Sequence, residues 1–164
     1  MFTGRAVVSV QVKRDFGDYK GGDIVLMEDW KAIVLWKEGI VEIIDESEKV
    51  IAEIERTIKE EREVEPLIPI PPEIYDRINF YKYYLTEYLQ KNMKENIETL
   101  ESKVKKLKNL QEGERRLKEI RLKKILEAVR LRPNSLEILG RLAPEERRIY
   151  LELSKLRREW LGEV

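Results

Sequence analysis

Two adjacent carboxylate pairs, Glu60–Glu61 and Glu145–Glu146, are the residues of this chain that could do acid–base chemistry. Such a pair needs surroundings that push its two pKa values apart. Both pairs lie among lysines and arginines on helix faces that read as exposed, so both read as surface charge rather than as a dyad. The 164 residues include no histidine and no cysteine. That removes imidazole acid–base chemistry, thiolate nucleophiles, disulfides and the usual zinc ligands together. A glycine-rich turn, Asp15–Gly22 (DFGDYKGG), invites comparison with a phosphate loop. Asp23 follows it, however, and no GK[ST] supplies a lysine for a β- or γ-phosphate, so it reads as a hairpin turn. There is no G-x-S-x-G and no DxD-type metal cluster in a loop. The sequence therefore gives no catalytic, cofactor-binding or metal-binding residue, and the reading is of a protein that is not an enzyme.

Charge patterning offers binding rather than catalysis. Between Lys103 and Arg132 twelve basic residues stand against four acidic ones. Lys103, Lys105, Lys106, Lys108, Arg115, Arg116, Lys118, Arg121, Lys123 and Lys124 could contact phosphates. Lys105, Lys106, Lys108, Arg115 and Arg116 are the candidates for contacts with DNA or with an acidic protein partner. No zinc-finger, RRM or KH pattern accompanies them, and no aromatics interleave to stack bases. The balance reverses from Asp45 to Glu65, with nine acids against four bases. That run reads as a solvated helix face, with a docking surface for a basic partner as the alternative.

These residues need elements to carry them. Ala6, Val8, Val10 and Val12 alternate with polar residues, the period of a half-buried strand. Asp23–Met27 and Ile40–Ile44 read as two further strands. Between them Asp29 caps a short helix through Glu38, which Gly39 ends. Trp30 and Trp36 read as core filling, with interface anchoring as the alternative. Ser47–Glu63 reads as a helix with a narrow stripe of Val50, Ile51, Ile54 and Ile58. Pro66, Pro69, Pro71 and Pro72 are four of the six prolines and make a stiff, extended link.

The next helix carries Ile74, Ile78, Tyr81, Leu85 and Tyr88 on one stripe, while Tyr75, Phe80, Tyr83 and Tyr84 fall off it. It is either surrounded within its own domain or shared with another chain. Met93, Ile97, Leu100, Val104 and Leu107 then recur at four, three, four and three, a heptad-like seam. Gly113 reads as its interruption. Leu117, Ile120, Leu122, Ile125, Leu126 and Val129 mark a further helix ending before Pro133. Asn134 or Ser135 caps a short helix through Leu142. Pro144 opens the last helix, where Ile149, Leu153, Leu156 and Trp160 hold one face.

The expected fold class is α+β, mainly α. A small β-rich domain covers residues 1–45, a charged helix and proline-rich linker 46–72, and an all-helical domain 73–164. Hydrophobic residues at 42% suffice for a core, and 32 basic residues balance 32 acidic ones. Balanced charge of this density suits ion-paired helix surfaces, and with the lack of cysteine it resembles a thermophile's intracellular protein. No apolar run approaches the ~20 residues of a membrane span, and no signal peptide follows Met1. The expected location is cytoplasmic.

The order of parts resembles an archaeal GINS subunit of the β-domain-first type, similar to the eukaryotic Psf-two and Psf-three subunits. The matching residues are Gly21-Gly22-Asp23 after the first turn and the helix Trp30-x-Ala32-Ile33-x-Leu35. Further matches are the charged helix leading to Pro66, Pro69, Pro71, Pro72 and Tyr75, and the closing helix from Pro144 to Trp160. The proline spacing departs from the family's plainer link. The resemblance implies a non-enzymatic subunit of a 2:2 heterotetramer at the replication fork, with a sister GINS subunit as partner. It also implies that the complex bridges and stimulates the MCM replicative helicase together with a RecJ-like, Cdc-forty-five-like protein. DNA polymerase or primase would be further partners, with a nucleoid-associated location and no membrane. In that family the helical domains build the tetramer. On this basis Ile78, Phe80, Tyr81, Tyr84 and Tyr88 are expected to divide between the subunit's own core and the subunit interface. The rival readings are a basic helical module that grips DNA directly and a helical adaptor unrelated to replication.

Overall fold

The computed structural model describes residues 2–163. In chain order the elements are β1 (Val7–Val12), β2 (Ile24–Glu28), α1 (Asp29–Lys37), β3 (Val41–Ile43), α2 (Ser47–Glu63), α3 (Ile74–Lys91), α4 (Ile97–Leu131), α5 (Leu136–Leu139) and α6 (Pro144–Leu161). The chain is thus α+β and mainly α, with a three-stranded antiparallel sheet ordered β2-β1-β3. Two compact units form, one from Met1–Ile51 with Glu73–Gln111 and one from Ala52–Pro72 with Glu112–Val164. The sequence reading cuts the chain consecutively, after residues 45 and 72. The compact units interleave instead, because α2 and α4 each give one part to either unit.

In the first unit, alternation along β1 does what its period requires. Ala6, Val8, Val10 and Val12 are buried, and Val8 and Val10 lie opposite Met27 and Val25 on β2. The glycine-rich segment joins β1 to β2 as a hairpin, closed by the paired backbones of Phe16 and Tyr19 and by Gly22 N donating to Val12 O at 2.7 Å. Ala32, Ile33 and Leu35 of α1 are buried, and Gly39, at φ 73°, turns the chain into β3. Trp36 fills core space, its ring 5.2 Å from that of Tyr84. Trp30 does not. It is 48% exposed, and its indole donates to Glu28, so the core-filling expectation fails for this residue.

Helix α3 is the centre of this unit. Ile74, Ile78, Tyr81 and Leu85 are buried, and so are the off-stripe Tyr75, Phe80 and Tyr84. Phe80 meets Tyr81 edge-on at 5.0 Å, and Phe2 meets Tyr83 edge-on at 5.3 Å. Such edge-to-face pairs add to the gain from burial alone. The Lys103 ammonium stands over Tyr84 and Tyr88, 5.5 and 5.0 Å from their centroids, and binds Asp45 at 2.6 Å. Burial, with the nearby carboxylates Glu46 and Asp45 adding to it, pushes the Tyr81 phenol well above its ordinary range. Burial does the same for Tyr84, with Asp45 the next cause.

The second unit has an aliphatic cluster of Leu67, Ile125, Val129, Ile138 and Leu142 around Tyr150. Beside it a charge network is buried. Arg121 is 1% exposed, and its guanidinium donates to Glu146 at 2.7 and 2.9 Å and to Glu61 at 2.7 Å. It also donates to the carbonyls of Ile68 and Arg141 at 2.7 and 3.0 Å. Lys124 binds the Glu61 carboxylate and donates to the carbonyls of Glu61, Val64 and Pro66. The proline-rich segment is therefore clamped along its carbonyls by cations of α4. Burial opposes the charge on Arg121, but its bonds to Glu146 and Glu61 outweigh that and raise its pKa above the ordinary value.

Gly113 does not interrupt α4, which runs unbroken through it. It is a close-approach residue, since a Cβ there would lie 3.1 Å from Ile54 Cγ2 of α2. Ser135, not Asn134, caps α5, its side chain accepting from Ile138 N, while Asn134 takes a positive φ of 55°.

Candidate functional site

Helix α6 carries an exposed apolar face in the second unit. Pro144 opens it, and Glu146 folds back to accept from Ala143 N at 2.9 Å, satisfying one of the free donors at the helix start. Gly162, left-handed at φ 70°, closes it. What turns inward is Glu146, Tyr150 and Ser154. Glu146 is held by Arg121. The Tyr150 hydroxyl donates to Arg132 O and accepts from Ser135 N. The helix is thus fixed to its unit by these polar anchors together with the packing of Tyr150 and Leu153 on the aliphatic cluster.

Its apolar stripe is left over. Ile149 is 40% exposed, Leu156 59% and Trp160 88%, while Leu153 is partly buried against the aliphatic cluster. An amphipathic helix ordinarily turns such a stripe to its own core. Here the core-facing positions are taken by Glu146, which completes the charge network, by Tyr150 and by the small Ser154. The result is a row of large apolar side chains on a well-anchored helix, the form of a protein-docking surface.

The expected interface residues lie elsewhere. Ile78, Phe80, Tyr81 and Tyr84 are between 0% and 5% exposed within the single chain, and Tyr88 is half-buried under Lys103. The four buried residues are core of the first unit, so they offer no surface to another subunit. Of the alternatives for α3, burial by its own unit holds, because Phe2, Trp36 and Lys103 cover the off-stripe rings.

The basic stretch is mostly committed within the chain. Arg115 pairs with Glu119 at 2.8 Å, Arg116 with Glu55, and Lys106 with Asp45 and Glu48 at 3.5 and 3.7 Å. Arg121, read from sequence as a phosphate contact, is interior. Lys105 and Lys108 are exposed and make no ion pair among the described residues.

Both carboxylate pairs are split by the fold. Glu60 and Glu145 are not buried, whereas Glu61 and Glu146 are enclosed in the Arg121 network, which corrects their reading as surface charge. The signal was in the spacing. Glu61 continues the buried row Val50, Ile54, Ile58, and Arg121 falls in the row Leu110, Leu117, Arg121, Ile125. Ionisable residues at core positions of a stripe point to one another.

Among the described residues no group of three or more acidic side chains could hold a metal ion, and no helix is long and apolar enough to cross a membrane. Comparison with protein-family models and with curated proteins gives no match.

Proposed function

We propose that this chain is a non-enzymatic structural subunit of a GINS-type replication complex, joining a sister subunit in a 2:2 tetramer. In this reading the tetramer bridges and stimulates the MCM helicase together with a RecJ-like, Cdc-forty-five-like protein. The observation that carries it is the uncovered apolar row on α6, since a helix held to its own unit by one face and apolar outward on another is suited to assembly. The ordered resemblance along the chain, from Gly21-Gly22-Asp23 to the closing helix, supplies the kind of assembly. In place of the buried aromatics of α3, the subunit contact is assigned to Ile149, Leu156 and Trp160.

Light scattering on a size-exclusion column, with this protein alone and mixed with the α-domain-first GINS subunit of the same source, tests the proposal. A two-plus-two mass that persists in high salt and is lost in a Leu156→Asp, Trp160→Asp variant is the expected result. A wild-type protein indifferent to that subunit sinks the family reading. Direct DNA binding has less support, because most of the basic stretch is neutralised in place. A steep fall of DNA affinity with salt would be needed to revive it.

A further inference from the structure

Helix α4 begins with a second exposed seam, in the other compact unit. Ile97 is 72% exposed and Val104 38%, with Leu100 partly buried between them. The three stand at spacings of three and four and, with Glu101, Lys105 and Lys108, line a shallow open groove along the helix. The flanks of this seam are unequal. On one side Lys103 and Lys106 turn to Asp45, at 2.6 and 3.5 Å, and are neutralised there. Lys105 and Lys108 line the groove itself and make no ion pair among the described residues. Glu101 is the one acid in the lining, which leaves a cationic surplus beside the apolar row.

We infer that this seam docks an amphipathic helix of a protein partner, whose apolar row is bordered by glutamate or aspartate. The row Ile97, Leu100, Val104 spans about 10 Å at 1.5 Å per residue, which matches two successive layers of helix-on-helix packing. Lys105 and Lys108 select the acidic border, because charge at the rim of an apolar contact sets partner choice more than affinity. A second copy of the same seam brings the same surplus of lysine and is disfavoured for that reason. This surface lies in a different unit from the α6 row, so either can fail without the other.

The test uses the full chain and two fluorescent synthetic helices with leucine at the a and d positions, one flanked by glutamate and one by lysine. Anisotropy titration should show the glutamate-flanked helix binding about tenfold or more tighter, a preference of roughly one decade in Kd. Ile97→Asp should abolish binding with an unchanged thermal transition, since the side chain is exposed. Lys105→Glu combined with Lys108→Glu should transfer the preference to the lysine-flanked helix. Equal binding of the two helices, binding of neither, or no transfer of preference overturns the proposal. So does a self-associated mass that Ile97→Asp reduces to monomer, which would assign the seam to a second copy. Binding to phosphatidylglycerol vesicles that Ile97→Asp abolishes would assign it to a membrane and overturn the proposal equally.

Discussion

The two compact units add different materials to their aliphatic cores. The first closes on rings, with Tyr75, Phe80, Tyr81 and Tyr84 of α3 interleaved with Phe2 and Trp36. The second sets a buried charge network beside its aliphatic cluster, with Arg121 inside and Glu61 and Glu146 on either side of it. The difference lies in how each core fails. A ring core loses packing in proportion to what is removed, because its contacts are many and individually small. A charged core is held only while every member is satisfied, since one missing partner leaves an ion in low dielectric.

The largest effect should therefore come from breaking the second unit's network. Arg121→Met leaves Glu61 and Glu146 without their shared cation and should cost about 3–5 kcal/mol in urea unfolding. Adding Glu61→Gln and Glu146→Gln should recover part of that loss, and a single variant costing under about 1 kcal/mol would mean that the network is not what holds the unit. Phe80→Ala should cost nearly as much, about 3–5 kcal/mol, through the cavity it opens. It should leave the assembled mass unchanged wherever the variant stays folded, which separates α3 as core from α6 as contact.

The pH response should sort the units further. The folded-state pKa values of Tyr81 and Tyr84 are raised, so the native state holds their protons more tightly than the unfolded chain. Their contribution to stability is complete below the unfolded value of about 10 and is lost as pH rises beyond it. Tyrosinate absorbance of these two phenols should appear only with unfolding, and Phe substitution at both should remove that part of the alkaline loss. Asp45 has the opposite sign. Burial raises its pKa, but the bonds from Lys103 and Ser47 prevail and hold it below the ordinary value. Its contribution is present above about pH 4 and is lost as pH falls through the lower folded value. Asp45→Asn should flatten the acid limb of the stability curve. The smallest effect belongs to the α6 face, where Trp160→Ala should change stability by no more than about 0.5 kcal/mol, because that ring touches little of its own chain.

Much of this fold can be read from periodicity. The alternation of β1, the hairpin after it, the stop at Gly39 and the stripes of α2 and α3 follow from spacing and turn chemistry. Gly113 misleads, because a glycine inside a helical pattern reads equally as a break or as room for a neighbour, and only the approach of Ile54 decides. Glu61, Arg121 and Glu146 mislead through their type, since charge is ordinarily solvated and that expectation outweighs the stripe positions they occupy. On α6 the 149, 153, 156, 160 row is legible as a face, but not which way it points. Its direction is set by Glu146 and Tyr150, whose partners lie far off in sequence.

The interleaving of the units sets an order on synthesis at the ribosome. The sheet and α1 emerge first, yet the first unit lacks α3 and the opening part of α4 until Gln111 has been made. Throughout that time residues 52–72 are tethered to the first unit without their carbonyl-binding cations, Arg121, Lys124 and Arg141. A nascent chain halted with Gln111 outside the ribosome and Arg121 still in the exit tunnel should already protect its α3 rings while its proline segment remains open to protease.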